Sequence, residues 1–263
     1  MRMEVQGISQ GYGKEDVISD ISFTAESGEL VSILGPNGCG KSTLIKSLCN
    51  VMRPRSGRID IDGCDILGKT PDELAKLIGY VPQTISSAGY TTVYDLVLIG
   101  RRPYVKWNYT TEDLRIVADS MITMNVNAYM RQDVNNLSGG QRQRAFIARA
   151  LAQQPAFYVF DEPTSSFDLR NQLDTMRIMK SLIERENACL IVALHDLNLA
   201  IRYSDKVIVL NDGGIYDMGT PEKVITPTMI KDVYGVKADV LEDSHGLFVR
   251  SYDDDDDKME DRA

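Results

Sequence analysis

The sequence lacks any uninterrupted apolar run near the roughly 20 residues that a membrane-spanning helix needs. Its first residues, Met1 to Val5, also lack the apolar segment of a signal peptide and read directly into a strand. These two absences predict a cytosolic chain, unless another protein holds it at a membrane.

Positive charge is in short supply, with 29 Lys and Arg against 38 Asp and Glu, and the net charge is −9. Residues 253–263 account for −5 of this, which leaves −4 for the other 252 residues. Neither value is typical of a nucleic-acid-binding surface. The acidic end includes Asp254–Lys258, which resembles an enteropeptidase recognition sequence, either a natural end or an engineered remnant. Both origins predict that residues 253–263 form a disordered tail.

Cysteine is scarce, and the four that occur show no metal-ligand spacing. A cytosolic setting keeps their thiols reduced. Cys49, Cys64 and Cys189 are predicted to be small apolar fillers. Cys39 differs because Lys41 and the start of a predicted helix lie beside it, and both features predict a lowered thiol pKa and a reactive thiolate.

The sequence does contain a glycine-rich segment between an apolar run and a predicted helix. Leu30–Leu34 is short and rich in β-branched residues, as a buried parallel strand should be, and Lys41–Leu48 reads as a helix. Glycines between them let consecutive N–H groups point at one anion, and the helix dipole favours phosphate there. The pattern fits the phosphate-loop motif, in which Lys41 reaches the β- and γ-phosphates and Ser42 ligates magnesium. The predicted loop comprises Gly35, Pro36, Asn37, Gly38, Cys39, Gly40, Lys41, Ser42 and Thr43.

A second candidate for a buried strand, Ala156–Phe160, is followed by two acids, Asp161 and Glu162. Ligands of open α/β sheets bind at the carboxyl ends of the strands. Two adjacent carboxylates there are costly without a cation, so we expect magnesium as their partner.

The pentad Leu137–Gln141 stands between the phosphate loop and the acidic pair. With that order and spacing, the three segments resemble the ATP-binding cassette family, the ATPase subunits of ABC transporters. The resemblance runs from about Met3 to Tyr252 and implies an α/β fold, with a P-loop NTPase (RecA-like) core, an antiparallel β edge and an inserted α-helical subdomain. It divides residues 1–252 into a nucleotide-binding core with a short C-terminal extension, 1–87 and 155–252, and a helical subdomain that carries the pentad, 88–154.

The residue pattern along the chain predicts elements that agree with this division. Val5–Ser9, Ile21–Thr24 and Arg58–Ile61 read as strands of the antiparallel edge, and Asn211–Gly214 is a hairpin turn signal. The segments predicted to be helical in the insert are Thr92–Gly100, Thr111–Asn125 and Ser138–Gln154.

The resemblance also assigns roles to single residues, with ATP and Mg²⁺ as the bound groups. Asp161 holds magnesium, and Glu162 polarises the attacking water. His195, which follows the apolar run Cys189–Leu194, contacts the γ-phosphate, although a lone histidine at a strand end is more often structural. Gln83 contacts magnesium or water and joins the core to the helical insert.

Two further residues gain expected roles from the resemblance. Tyr12 matches the aromatic residue that stacks on adenine, an interaction that tolerates different bases. Asp168 matches a residue of the loop Ser166–Asp168, in which Phe167 stands where many relatives carry leucine.

The pentad begins a predicted helix, which makes it a second anion site that one ATP molecule does not require. The resemblance resolves this with a homodimer that has head-to-tail ATP sites, in which Ser138, Gly139, Gly140 and Gln141 cover the γ-phosphate held by the other copy. It also implies two membrane-spanning permease subunits and, indirectly, an extracytoplasmic substrate-binding protein. The expected location is peripheral, on the cytoplasmic face of the cell membrane, and no nucleic acid is expected as a partner.

The resemblance places the contact with the permease in residues 84–104. We expect Tyr90, Tyr94, Arg101, Arg102 and Tyr104 to line much of it, because aromatic residues and arginine dominate interface energies.

Softer similarities concern the transported molecule. Val93–Arg101, His195–Ala200 and Thr226–Val236 resemble the subgroup that imports iron-siderophores, haem and cobalamin. A zinc, manganese or molybdate importer is the next interpretation. A soluble cassette, such as the ATPase of iron–sulfur cluster assembly, is the alternative from another class.

Overall fold

The structure is a computed structural model that describes residues 1–83 and 89–252. Its strands are β1 (Arg2–Gln10), β2 (Ile18–Glu26), β3 (Leu30–Leu34), β4 (Ser56–Ile61), β5 (Cys64–Asp65), β6 (Ile78–Val81), β7 (Phe157–Asp161), β8 (Cys189–Ala193), β9 (Lys206–Asn211), β10 (Gly214–Gly219), β11 (Lys237–Asp243) and β12 (Gly246–Tyr252). Its α-helices are α1 (Lys41–Leu48), α2 (Pro71–Leu77), α3 (Val93–Ile99), α4 (Thr111–Thr123), α5 (Gly139–Gln153), α6 (Leu169–Glu186), α7 (Leu197–Tyr203), α8 (Pro221–Val224) and α9 (Pro227–Tyr234).

A six-stranded sheet in the order β10-β9-β3-β8-β7-β6 forms the centre of the protein. Strands β9, β3, β8, β7 and β6 are parallel, and β10 pairs with β9 in the antiparallel direction. Every residue of β3, β7 and β8 is buried, because helices and the second sheet cover both faces. This explains the near-continuous apolar character of the three strands.

A separate antiparallel sheet, in the order β2-β1-β4-β5, packs beside the central one. Its inward side chains, such as Met3, Val5 and Ile59, share an apolar cluster with one face of β3 and with α1. The other face of the central sheet shares a larger cluster with α3, α4, α5, α6 and α9. The helices between residues 89 and 154 therefore pack onto the same core as the nucleotide-binding strands.

Strand order determines which chain segments meet at the carboxyl edge of the sheet. Strand β3 leads into residues 35–40, β7 ends at Asp161, and β8 lies between them and precedes Leu194 and His195. The register pairs Ile33 of β3 and Asp161 of β7 with the same β8 residue, Ala193. The phosphate loop, the acidic pair and the histidine consequently lie side by side.

The fold predicted from the sequence is confirmed in its main features. The α/β core, the antiparallel edge, the helical segments of the insert and the β9–β10 hairpin are all present. The hairpin of β11 and β12 has no counterpart in the sequence predictions, which describe only a short C-terminal extension. The predicted tail, 253–263, lies outside the described residues. Among those that are described, no helix combines the length and hydropathy that a bilayer crossing requires.

Candidate nucleotide site

The phosphate loop takes a backbone conformation that two of its glycines make possible. Gly35 and Gly40 have φ angles of 145° and 106°. A Cβ atom on Gly35 would clash with the carbonyl oxygen of Leu210, and one on Gly40 would clash with Ile18. The chain therefore curls tightly before α1, and the N–H groups at the start of that helix remain available to an anion.

The side chain of Lys41 folds back over this loop. Its Nζ donates hydrogen bonds to the carbonyl oxygens of Gly35 at 2.7 Å and Pro36 at 3.0 Å, and the residue is buried. These bonds hold a positive charge at the loop, where phosphate groups are expected.

Ser42 and Asp161 form the second part of the site. Ser42 Oγ donates to Asp161 Oδ1 at 3.1 Å, although the two residues are far apart in sequence. Burial raises the pKa of Asp161, while the Ser42 hydrogen bond opposes that rise. A hydroxyl and a buried carboxylate are hard oxygen donors, the type that Mg²⁺ prefers, so the residues present fit that ion.

Glu162 brings the histidine and the glutamine together. Its Oε1 lies 2.5 Å from His195 Nε2, and its Oε2 accepts a hydrogen bond from Gln83 Nε2 at 2.6 Å. The carboxyl side chain is 9% exposed, whereas the imidazole is 43% exposed. Glu162 also has a φ of 52°, a left-handed conformation that costs energy for a non-glycine residue and often marks functional sites.

These groups surround one open cleft of about 550 Å³. Tyr12 stands at its rim with its side chain largely exposed, so the ring is free to meet a planar ligand. The cleft is lined by Tyr12, Val17, Asn37, Gly38, Gly40, Lys41, Ser42, Thr43, Gln83, Glu162 and His195.

The pentad and Asp168 do not line this cleft. Ser138 caps α5, accepting a hydrogen bond from Gln141 N at 3.3 Å, while Gln141 Oε1 accepts from Ser138 N at 3.0 Å. Asp168 caps α6 by accepting from the Asn171 amide at 2.8 Å. A Cβ on Gly140 would lie 3.3 Å from the ring of Phe167, so the two loops are in close contact.

Comparison with known proteins identifies the family. The model of the ABC transporter family matches residues 18–165, a stretch that contains the phosphate loop, the pentad and the acidic pair. The chain belongs to the ABC transporter family. The cassette is therefore an ATP-binding protein and an ATPase.

Curated relatives cover nearly the whole cassette. An uncharacterized ABC transporter ATP-binding protein of Methanocaldococcus jannaschii is 44% identical over 247 residues, 94% of this chain and 96% of that protein. The ferric enterobactin transport ATP-binding protein FepC of Escherichia coli is 36% identical over 246 residues, 92% of this chain and 90% of its own length.

Solved structures share the fold at similar coverage. A metal-chelate type ABC transporter in an inward-facing conformation matches with a TM-score of 0.80 and 26% identity, over 95% of this chain and 96% of that one. A dimeric ATP-binding cassette in a post-hydrolysis state, bound to ADP and Pi, matches with a TM-score of 0.76 and 28% identity, over 83% and 98% of the two chains.

The prediction of a reactive Cys39 is wrong for the cassette. Cys39 is buried, and this burial raises the pKa of its thiol; the nearby charge of Lys41 and the loop amides lower it by less. The prediction that Cys64 is an apolar filler is also wrong because Cys64 is exposed, while Cys49 and Cys189 are buried as expected.

The prediction that Arg101 lines a docking surface is wrong as well. Its side chain is only 8% exposed, and its Nε donates to Asp113 Oδ1 at 2.9 Å. It also donates to the carbonyl oxygen of Ala152 and to Gln154 Oε1, and it stacks over the Tyr104 ring at 4.2 Å. Arg101 thus connects α4 to the end of α5 through buried hydrogen bonds.

The other residues of the predicted docking region have different positions. Tyr90 is 75% exposed, Arg102 is exposed, and Tyr104 is partly exposed, whereas Tyr94 packs against the core. Residues 84–88, which belong to the same prediction, lie outside the described residues.

Sequence reasoning missed three residues near the site. Val17 lines the main cleft beside Gly40 of the phosphate loop. Tyr80 and Lys46 line a smaller cavity of about 150 Å³ beside Ser42 and Asp161. Burial raises the pKa of Tyr80, so its hydroxyl remains protonated next to the carboxylate. The motifs of the sequence assign no role to any of the three.

Proposed function

We propose that the cassette energises an importer of metal chelates, such as an iron-siderophore, haem or cobalamin. The arrangement of Glu162, Gln83 and His195 beside the phosphate loop carries the ATPase part of this proposal. The importer part is supported by the ferric enterobactin transport protein among the relatives and by the metal-chelate type transporter among the solved structures.

ATP is proposed to occupy the 550 Å³ cleft with its phosphates on the loop. Lys41 and the amides of residues 38–43 then neutralise the β- and γ-phosphates, and Tyr12 stacks on the adenine ring. Stacking of this kind is worth about 1–3 kcal/mol and discriminates little between bases.

Ser42, Asp161 and Gln83 are the residues proposed to hold Mg²⁺. All three present oxygen donors, and Ser42 and Asp161 are already within hydrogen-bonding distance of each other. When bound, the ion supplies positive charge that neutralises the phosphate oxygens.

Glu162 and His195 are proposed to act in hydrolysis. Glu162 accepts a hydrogen bond from a water molecule and orients its lone pair toward the γ-phosphorus. His195, which contacts Glu162, is proposed to donate a hydrogen bond to a γ-phosphate oxygen. Water oxygen bonds to phosphorus while the bond to the bridging oxygen breaks, and ADP and inorganic phosphate are released.

Ser138, Gly139, Gly140, Gln141 and Asp168 are proposed to act on a second copy of the chain. They line no part of the cleft described above, yet Ser138 begins a helix of 15 residues whose N-terminus favours an anion. A head-to-tail homodimer would place these residues over the γ-phosphate held by the other copy. The dimeric state of the post-hydrolysis cassette is consistent with this proposal.

Two membrane-spanning permease subunits are proposed to hold the cassette at the cytoplasmic face of the membrane. Tyr90 and Trp107, which are 75% and 93% exposed, are candidates for the contact, together with Arg102. An extracytoplasmic substrate-binding protein would deliver the chelate to these permease subunits without touching the cassette.

Affinity purification from membranes of the source cell tests this function. We expect permease subunits to co-purify with the wild-type chain and with a Lys41→Ala variant. Lys41 lies in the nucleotide cleft and not beside Tyr90 and Trp107, the exposed residues proposed to contact the permease. Recovery of the wild type without any membrane protein would favour a soluble cassette instead.

A further inference from the structure

The C-terminal hairpin of β11 and β12 is tied to α7 by one side chain. Asn198 Oδ1 accepts a hydrogen bond from Val249 N at 2.7 Å, and Asn198 Nδ2 donates to Val249 O at 3.3 Å. The amide side chain thus pairs with both backbone groups of a single residue, as a neighbouring strand would.

These two bonds lie outside the ladder of the hairpin. Val249 stands opposite Val240 in β11, but its N–H and C=O groups both point to Asn198. In an antiparallel pair, alternate residues direct these groups toward the partner strand or away from it. The outer edge of β12 therefore contacts α7 at Val249, while the hairpin keeps its own bonds with β11.

Asn198 lies three residues after His195, and the segment between them is held from both sides. Asp196 Oδ1 accepts from the amides of Asn198 at 2.8 Å and Leu199 at 3.1 Å, which fixes the start of α7. On the other side of the histidine, Leu194 N donates to Ile33 O at 3.1 Å. The backbone of His195 is thus set between the central sheet and the start of α7.

We propose that Asn198 is a positioning residue that lets the C-terminal hairpin hold His195 against Glu162. The imidazole contact with Glu162 is 2.5 Å, so a small displacement of α7 would change it directly. This inference rests on the proposed role of His195 in hydrolysis. It gives the hairpin a function in turnover, although none of its described residues, 237–252, lines the cleft.

Matched variants separate this role from a general effect on the hairpin. Asn198→Ala removes both hydrogen bonds between Asn198 and Val249. Val249→Pro removes only the N–H group that donates to Asn198 Oδ1. Ser251→Pro is the control because Ser251 lies two residues farther along the same edge of β12. Asn198→Asp keeps an acceptor for Val249 N and loses the donor to Val249 O.

Steady-state ATP hydrolysis by the full chain is the first measurement. We expect Asn198→Ala and Val249→Pro to lower kcat by about 3- to 10-fold and to change KM for ATP by less than about 2-fold, because the histidine moves while the phosphate loop does not. Asn198→Asp should give an intermediate kcat, and Ser251→Pro should resemble the wild type. An unchanged kcat in Asn198→Ala, or an equal loss in Ser251→Pro, would overturn the proposal.

The imidazole NMR signals provide a second measurement that does not require turnover. The sequence has two histidines, and His245 lies in the turn of the same hairpin, so its signals report separately on changes within the hairpin. We expect the His195 signals to shift in Asn198→Ala and Val249→Pro but not in Ser251→Pro. Absence of hydrolysis by the wild type would count against the proposed function, whereas unchanged His195 signals in both variants would count against the positioning role alone.

Discussion

Replacing Arg101 should destabilise the fold without touching the nucleotide site. Arg101→Met preserves much of the side-chain volume but removes the guanidinium group. Asp113, the Ala152 carbonyl and Gln154 then lose a donor in a region where Arg101 and Asp113 are each under 10% exposed.

The size of the expected destabilisation depends on the hydrogen bonds that Asp113 keeps when Arg101 is replaced. Removing one partner of a buried ion pair typically costs about 3–5 kcal/mol. Asp113 still accepts hydrogen bonds from the Thr110 amide and hydroxyl, at 2.9 and 2.7 Å, and these bonds, with Arg101, lower its pKa. We therefore expect Arg101→Met to lower the free energy of unfolding by about 3 kcal/mol, the lower end of that range. Arg101→Glu should cost more, because it places a second carboxylate beside Asp113.

Urea unfolding monitored by circular dichroism measures this difference. Arg102→Glu is the matched control, since Arg102 is exposed and its replacement should change the free energy of unfolding by less than about 0.5 kcal/mol. If Arg101→Met lowers the free energy of unfolding by less than about 1 kcal/mol, the Arg101–Asp113 ion pair does not stabilise the packing of α4 against α5 as described above. Loss of transport in Arg101→Glu would then have to be explained by docking instead of folding.

Three further predictions concern the nucleotide site. Glu162→Gln should lower kcat for ATP hydrolysis by about 100-fold or more, equivalent to about 3 kcal/mol of activation free energy. ATP binding, measured by calorimetry, should stay intact. Near-normal turnover would contradict the role of Glu162 in polarising the attacking water. Cys64 should be alkylated before Cys39 at neutral pH, because Cys64 is exposed and the raised pKa of Cys39 delays formation of its thiolate. Labelling of Cys39 should accelerate as pH rises. Mass spectrometry that finds Cys39 labelled first would refute this. Asp161→Asn should raise the free energy of unfolding at neutral pH and weaken Mg-ATP binding. Burial raises the folded-state pKa of Asp161, so the stability that this carboxyl contributes is present below its unfolded pKa and is lost as pH rises through its folded pKa; a destabilised variant would contradict the sign.

Much of the fold and of the main cleft could be predicted from the sequence because both depend on local patterns. Lys41, Asp161 and His195 each follow a short apolar run, and parallel strands bring their carboxyl ends to one edge of a sheet. Once these runs are recognised as neighbouring parallel strands, the side chains that follow them must share that edge.

The features that could not be predicted depend on burial and on distant contacts. Arg101 and Arg102 look equivalent in sequence, and only the packing of α4 against α5 buries the first beside Asp113. At Cys39, the desolvation of the thiol outweighs the charge of Lys41, and neighbouring residues do not reveal that balance. The pairing of Asn198 with Val249 joins residues 51 positions apart, and no local pattern indicates it.

The central claim, that the cassette energises import of a metal chelate, is tested most directly by transport in membrane vesicles. Right-side-out vesicles that carry the wild-type chain and its co-purifying permease should be loaded with Mg-ATP. The substrate-binding protein is supplied outside them, because their outer face is the extracytoplasmic one. We expect them to accumulate radiolabelled ferric siderophore, haem or cobalamin, and vesicles that contain the Glu162→Gln chain to accumulate none. Equal uptake with the wild-type and variant chains, or ATP hydrolysis by the wild type without uptake of any of the three chelates, would contradict the account.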